Sequence, residues 1–174
     1  AAAMALKGQG SITSCDIHPH KIGLIQNGAQ RLGITNLQAE QHDATEFVPQ
    51  WKEQMDVVLA DVPCSGYGII RKKPDIRYKD PVSMAELPLL QEQILHRQAK
   101  YVKPGGVLLY STCTLLKREN QDVVNAFLET EPTFYLEALP LPSPLKEDSF
   151  GMLTLVPGEY DTDGFFICRL RRKQ

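Results

Sequence analysis

The chain has 174 residues, 43% of them hydrophobic, and 19 Lys and Arg stand against 21 Asp and Glu for a net charge of −2. A domain of this size buries roughly 70% of its unfolded surface; the charge balance argues against a free-standing nucleic-acid binder with a general basic excess, and no apolar run reaches the roughly 20 residues that cross a bilayer. Cysteines 15, 64, 113 and 168 make no C-x-x-C pair and no zinc-like spacing, so reduced thiols in a cytoplasmic protein, with neither a metal nor a disulfide framework, are expected.

In chain order, residues 1–7 have helix-forming composition, read as the middle of a helix rather than a signal peptide, with Gly8 and Gly10 as its stop. SITSC at 11–15 alternates like a strand and ends on Asp16, and Ile22, Ile25, Ala29 and Leu32 then recur at helical spacing up to Gly33. An acid ending the strand of such a β-α unit is placed to bond the ribose hydroxyls of a nucleotide cofactor, and Asp before a helix is also a capping residue. LQAEQH at 37–42 is a short polar strand ending on Asp43. MDVVLAD at 55–61 is apolar except at its ends, as in a central parallel strand covered on both faces.

The segment 62–85 is too long for a plain connection and holds Arg71, Lys72, Lys73, Arg77 and Lys79, so it is read as a substrate loop. A helix is predicted over 86–102, with Leu87, Leu90, Ile94, Ala99 and Val102 inward, stopped by Lys103-Pro104-Gly105-Gly106. GVLLYSTC is the next buried strand, and Val123, Val124, Phe127 and Leu128 mark an amphipathic helix within 117–130. TFYLEAL at 133–139 reads as a strand, the Pro-rich 139–148 as a surface excursion, and 152–157 with 164–171 as a hairpin closing the sheet. The basic residues Arg169, Arg171, Arg172 and Lys173 read as a solvated tail.

Chemistry concentrates at two strand ends. DVPCSGYG at 61–68 leaves Asp61 and Cys64 at the carboxyl edge of one strand, and YSTCT at 110–114 places Cys113 at the edge of another, where open α/β sheets hold their sites. Two cysteines so placed suggest one shared site, whereas Cys15 and Cys168 are read as inert buried thiols.

The motifs DVPCSG and STC, with RKKPDIRY at 71–78 and TDGFFICRLRRK at 162–173, occur in an order that resembles the RNA cytosine-5 methyltransferases, specifically the Sun/Fmu ribosomal RNA branch. The resemblance implies an α/β fold: a doubly wound, mostly parallel, Rossmann-like sheet with an antiparallel carboxyl-terminal hairpin. It implies S-adenosyl-L-methionine as cofactor, held by Asp16 at the ribose, Asp43 near the adenine and Asp61 near the methyl donor. It further implies Cys113 as the nucleophile toward cytosine C6, Cys64 as the residue that assists C5 proton removal and release, and Asp61 as a partner of N3 and the exocyclic amine. The implied partner is RNA, 16S ribosomal RNA in this branch, with transfer RNA open because related enzymes share these motifs.

In that family a first strand and a Gly-rich loop of the type A-P-G-G-K precede the opening helix. By this resemblance residues 1–174 are expected to be a partial methyltransferase domain that lacks them, binds the cofactor poorly as written, and is inactive or borrows a strand. Two rival readings are a non-catalytic remnant that binds RNA or protein, and a nicotinamide-dependent enzyme, which fits Asp16 but leaves both cysteine motifs unexplained.

Overall fold

The computed structural model describes residues 2–7, 9–80, 82–141, 145, 150–159 and 161–174. The chain forms two compact units, Ala1–Phe47 and Val48–Gln174. In the first, a short helix α1 (Ala2–Ala5) is followed by β1 (Ile12–Asp16), helix α2 (Pro19–Arg31) and β2 (Leu37–Gln41). The strands run parallel, from Ile12 opposite Leu37 to Asp16 opposite Gln41. Pro19 sits in the first turn of α2, where a missing N–H costs nothing, and Gly33 takes the positive φ of 65° that follows the helix.

The second unit contains β3 (Met55–Asp61), helix α3 (Leu87–Ala99), β4 (Val102–Thr112), helix α4 (Gln121–Thr130), β5 (Phe134–Leu136), β6 (Met152–Leu155) and β7 (Phe165–Arg172). β3 pairs with β4 in parallel, so Asp61 stands opposite Ser111 and both strands deliver their carboxyl ends to one edge. β7 runs antiparallel to β4 on one side and to β5 and β6 on the other.

Because β3 runs with β4, and β4, β5 and β6 each run against β7, four strands of the five-stranded sheet share one direction and β7 alone opposes them, as expected of a mostly parallel sheet with an antiparallel carboxyl-terminal hairpin; the first unit adds a two-stranded parallel sheet. The hairpin of β6 and β7 is as expected.

The helix predicted to 102 ends at Ala99, and Val102 already pairs with Met55. Lys103 to Gly106 then form an irregularity in the ladder, since Val57 pairs with Val107. Gly105 takes φ 76°, and a Cβ on Gly106 would lie 3.0 Å from the Asp56 carbonyl oxygen, so the Pro-Gly-Gly run is a bulge at the start of a strand. The segment 62–85 is organised by short 3₁₀ turns at Tyr67–Ile69, Pro74–Tyr78 and Val82–Met84. Most of the Pro-rich stretch 139–148 lies outside the described residues.

The core of this unit is built from Leu95, Leu108, Tyr110, Phe127, Phe166 and Leu170, all fully buried. Each such side chain contributes about 1.5–3 kcal/mol by leaving water. Tyr110 meets Phe166 edge-on at 6.2 Å between ring centres, and Phe127 meets Phe134 at 5.4 Å, tying β4 to β7 and α4 to β5. The arginines read as a solvated tail lie in or beside this sheet: Arg169 and Arg171 share Glu137, and Arg172 reaches Glu53 at 2.6 Å. A strand with alternating Cys168 and Leu170 inward leaves its arginine stems along the sheet, within reach of those acids. Among the described residues no helix is long and apolar enough to cross a membrane.

Candidate active site

Parallel pairing of β3 with β4 puts the residues that follow the two strands side by side. Cys64, three residues beyond Asp61, and Cys113, one beyond Thr112, bring their Sγ atoms to 3.1 Å, a hydrogen-bonded thiol pair. The backbone N–H of Cys113 donates to Cys64 Sγ at 3.3 Å. Asp61 is exposed at the same edge, its Oδ1 accepting from the Ser111 hydroxyl at 3.0 Å. The three second-unit residues singled out from sequence are thus gathered together.

The two sulfurs are driven apart in acidity. The hydrogen bond from Cys64 brings the Cys113 thiol down from 9.0 to about 7, helped by the positive charge of Lys73 and opposed by desolvation and by Asp61. The same bond, with desolvation, raises the Cys64 thiol far above its ordinary value. Near pH 7 about half of the pairs therefore hold a thiolate on Cys113 while the proton stays on Cys64, and the fraction rises with pH. A half-buried thiolate at the edge of a sheet is a nucleophile in waiting.

The turn that carries Cys64 is shaped by glycines. Gly66 takes φ 80°, the left-handed conformation a side chain disfavours. The Gly68 N–H donates to the Cys113 carbonyl at 2.9 Å, and the Gly164 N–H donates to the Gly68 carbonyl at 2.8 Å. A Cβ on Gly68 would fall 2.2 Å from the Gly164 oxygen, so the two backbones touch because neither residue has a side chain.

The other two cysteines take no part. Cys168 is buried and its thiol pushed up to about 12 by desolvation. Cys15 is exposed on β1, contrary to the buried position expected, because β1 alternates its faces and leaves that residue outward. Partial desolvation and the charge of Glu40 still push its thiol up to about 11, which keeps it unreactive.

The basic segment is only partly free for a ligand: Arg71 lies 3.7 Å from Asp163 and 3.9 Å from Asp161, and Lys72 also pairs with Asp163. Sequence reasoning missed Gln91, Glu119, Asn120 and Gly164. Gln91 had a signal, a polar residue among the apolar positions of α3, whereas nothing in the local pattern marks Glu119 or Gly164.

In the first unit, Asp16 and Asp43 follow or end adjacent parallel strands. Asp16 accepts from the His18 N–H at 2.9 Å and from Lys21 at 3.0 Å, and these hold its carboxyl below the usual range. Asp43 accepts from both the N–H and the hydroxyl of Thr45, with the same effect. Each carboxylate oxygen has two lone pairs, so two ionised acids at the carboxyl ends of parallel strands suit the hydroxyls of a nucleoside. Among the described residues no cluster of three or more His, Cys, Asp or Glu could hold a metal ion.

Residues 1–171 match the family model described as 16S rRNA methyltransferase RsmB/F. The chain is 44% identical over 177 residues to the probable ribosomal RNA small subunit methyltransferase B of Bacillus subtilis (strain 168), covering 98% of this chain and 40% of that protein. It is 33% identical to the ribosomal RNA small subunit methyltransferase F of Erwinia tasmaniensis, covering 98% of this chain and 37% of that one.

Two solved structures share the fold closely. PH0851 superposes with a TM-score of 0.88 at 33% identity, over 98% of this chain and 39% of that one. NSun6 from Pyrococcus horikoshii, solved with SFG, superposes with a TM-score of 0.77 at 26% identity, over 99% of this chain and 44% of that one. The chain thus spans less than half the length of these proteins, while nearly all of its own residues are matched. With its paired cysteines at adjacent strand ends and this match over nearly all its residues, the chain belongs to the 16S rRNA methyltransferase RsmB/F family.

Proposed function

We propose that residues 1–174 carry the reacting residues of an enzyme that methylates C5 of a cytosine in 16S ribosomal RNA, in the cytoplasm, through a covalent cysteine adduct. The observation that carries the reading is the 3.1 Å contact between Cys64 and Cys113, which leaves a thiolate on one and a proton on the other. C5 of cytosine is a poor nucleophile until a thiolate adds to C6. S-adenosylmethionine, when bound, supplies the electrophilic methyl group; Asp16 accepts from its ribose hydroxyls and Asp43 serves the adenine side.

Cys113 Sγ forms the bond to C6 as the C5–C6 π electrons move onto C5, where they form the new bond to the methyl group with S-adenosylhomocysteine as the leaving group, while Asp61 accepts from the exocyclic amine and shares a proton with N3. Once Cys113 is a neutral thioether, the largest cause of the raised pKa of Cys64 disappears, and that residue becomes able to exchange a proton. Removal of the C5 proton, assisted by Cys64, then restores the C5–C6 double bond and expels Cys113 as thiolate. Lys73 and Arg77 face flanking phosphates, and the target base is unstacked, as RNA-modifying sites require.

In the full-length protein a further parallel strand pairs with β3, and a Gly-rich loop for the cofactor follows that strand. The support for that strand is that β3 pairs with β4 alone among the described strands and leaves Val57 and Leu59 59% and 60% exposed.

The test is a trap with RNA containing 5-fluorocytosine, whose C5 has no proton to lose. The full-length enzyme should form an adduct stable to denaturation with that RNA and cofactor, and Cys113→Ala should abolish it. An adduct that survives in Cys113→Ala, or none in the wild type, would refute the assignment.

A further inference from the structure

Neither cysteine lies within regular structure, yet their sulfurs meet at hydrogen-bonding distance. The residues on both sides of each are held by a small group of buried polar side chains. Pro63, just before Cys64, gives its carbonyl to Gln91 Nε2 at 2.8 Å. Ser65, just after it, gives its N–H to Glu119 Oε2 at 2.8 Å, and Gln91 Nε2 also donates to that oxygen at 3.0 Å. Thr112, just before Cys113, donates its hydroxyl to Asn120 Oδ1 at 2.6 Å. Thr114, just after it, accepts from Asn120 Nδ2 at 3.0 Å. The Ser65 and Thr114 hydroxyls join the two turns at 2.8 Å.

Gln91, Glu119 and Asn120 are fully buried and none touches either sulfur in these bonds. Tyr110 anchors the pair by donating its hydroxyl to the Glu119 carbonyl at 2.7 Å, and α4 begins immediately after Asn120.

We infer that Glu119 and Asn120, with Gln91, are positioning residues that set the separation of Cys64 and Cys113, Glu119 placing the turn of one and Asn120 the turn of the other. Buried polar side chains nearly always have at least one partner, and of the five bonds named for these three, four end on a residue adjacent to a cysteine. Because the two acceptors and donors come from consecutive residues at the start of one helix, a shift of α4 moves both turns together and leaves the thiol pair intact. Glu119 spends only Oε2 on its donors; Oε1 has no partner among the described residues. Glutamine can therefore present its carbonyl to Ser65 and Gln91 and leave its amide where no partner stood, whereas alanine offers neither.

The inference rests on the proposed cysteine chemistry, but its test does not need turnover. In the full-length protein, alkylation of the Cys113 peptide by iodoacetamide is followed against pH by mass spectrometry, beside thermal denaturation and the 5-fluorocytosine adduct. Glu119→Ala and Asn120→Ala should each raise the pH midpoint of alkylation from about 7 toward 9.0, since Cys113 loses the bond from Cys64. Adduct formation should fall on the order of a hundredfold, the scale of a misplacement near 1 Å, and Glu119→Gln should restore both. Should Glu119→Ala melt too low to be assayed, Asn120→Ala and Glu119→Gln decide the matter alone. Variants that melt lower yet keep the wild-type midpoint would overturn the inference, as would Glu119→Gln displaced as far as Glu119→Ala. Failure of the wild type to form any adduct, with the midpoints moving as expected, would count against the methyltransferase reading and not against the positioning one.

Discussion

Replacing Cys64 by alanine should change the reactivity of Cys113 in opposite directions at low and high pH. The hydrogen bond from Cys64 is the largest influence bringing the Cys113 thiol from 9.0 to about 7, and the substitution removes it. At pH 7 the thiolate fraction would fall from about one half to about one in a hundred, roughly fiftyfold. A more basic thiolate is intrinsically the better nucleophile, and a Brønsted slope near 0.45 over about two units returns roughly eightfold. Alkylation of Cys113 by iodoacetamide should thus be about sixfold slower at pH 7 in the variant, and about eightfold faster above roughly pH 10, with the two profiles crossing near about pH 8. Mass-spectrometric timing of the Cys113 peptide from pH 6 to 10.5 reads this directly. Cys64→Ser keeps a donor and should shift less. Superimposable profiles, or a uniform change without a crossing, would refute the idea that Cys64 holds the thiolate of Cys113.

A Cβ on Gly164 would sit 2.7 Å from the Gly68 Cα and 2.9 Å from Leu115 Cδ2, so Gly164→Ala should cost about 1–3 kcal/mol. A chain of this size loses roughly 2–4 °C in melting temperature for each kcal/mol, and an unchanged melt would show that the contact yields freely. Asp163 neutralises Arg71 and Lys72, so Asp163→Asn should strengthen RNA binding at low salt. Its logarithmic salt slope should steepen by about 0.7 for each phosphate gained, and an unaltered affinity and slope in filter binding would remove this loop from the RNA contact.

The elements legible in the sequence were those whose evidence is local. β3 is bounded by Met55 and Asp61 as its apolar run indicates, and α2 ends before Gly33 as helix punctuation requires. The two cysteines could be paired because both end apolar runs. What escaped was whatever depends on partners distant in the chain. Val102 begins a strand although it continues the spacing of a helix, since Met55 claims it as a neighbour. The arginines of β7 looked solvated because Glu53 and Glu137, their partners, lie far away in sequence. Glu119 was invisible for the same reason: its importance lies in Ser65 and Gln91, not in the residues beside it.

The placement of β7 bears on how the chain acquires its shape during synthesis. This strand follows β4, β5 and β6 in the chain and is the hydrogen-bonded partner of all three. Val107 finds Arg171 only after the whole intervening sequence has been made, and at roughly 5–20 residues per second that is an interval of several seconds. Until then one edge of β4 has no strand against it, and Tyr110 lacks the ring of Phe166. Long-range antiparallel pairing of this kind is slow to form and exposes apolar strands while it waits. Pairing of β7 is thus a late step in the folding of this unit, and a nascent chain that waits for it presents the open apolar edge of β4.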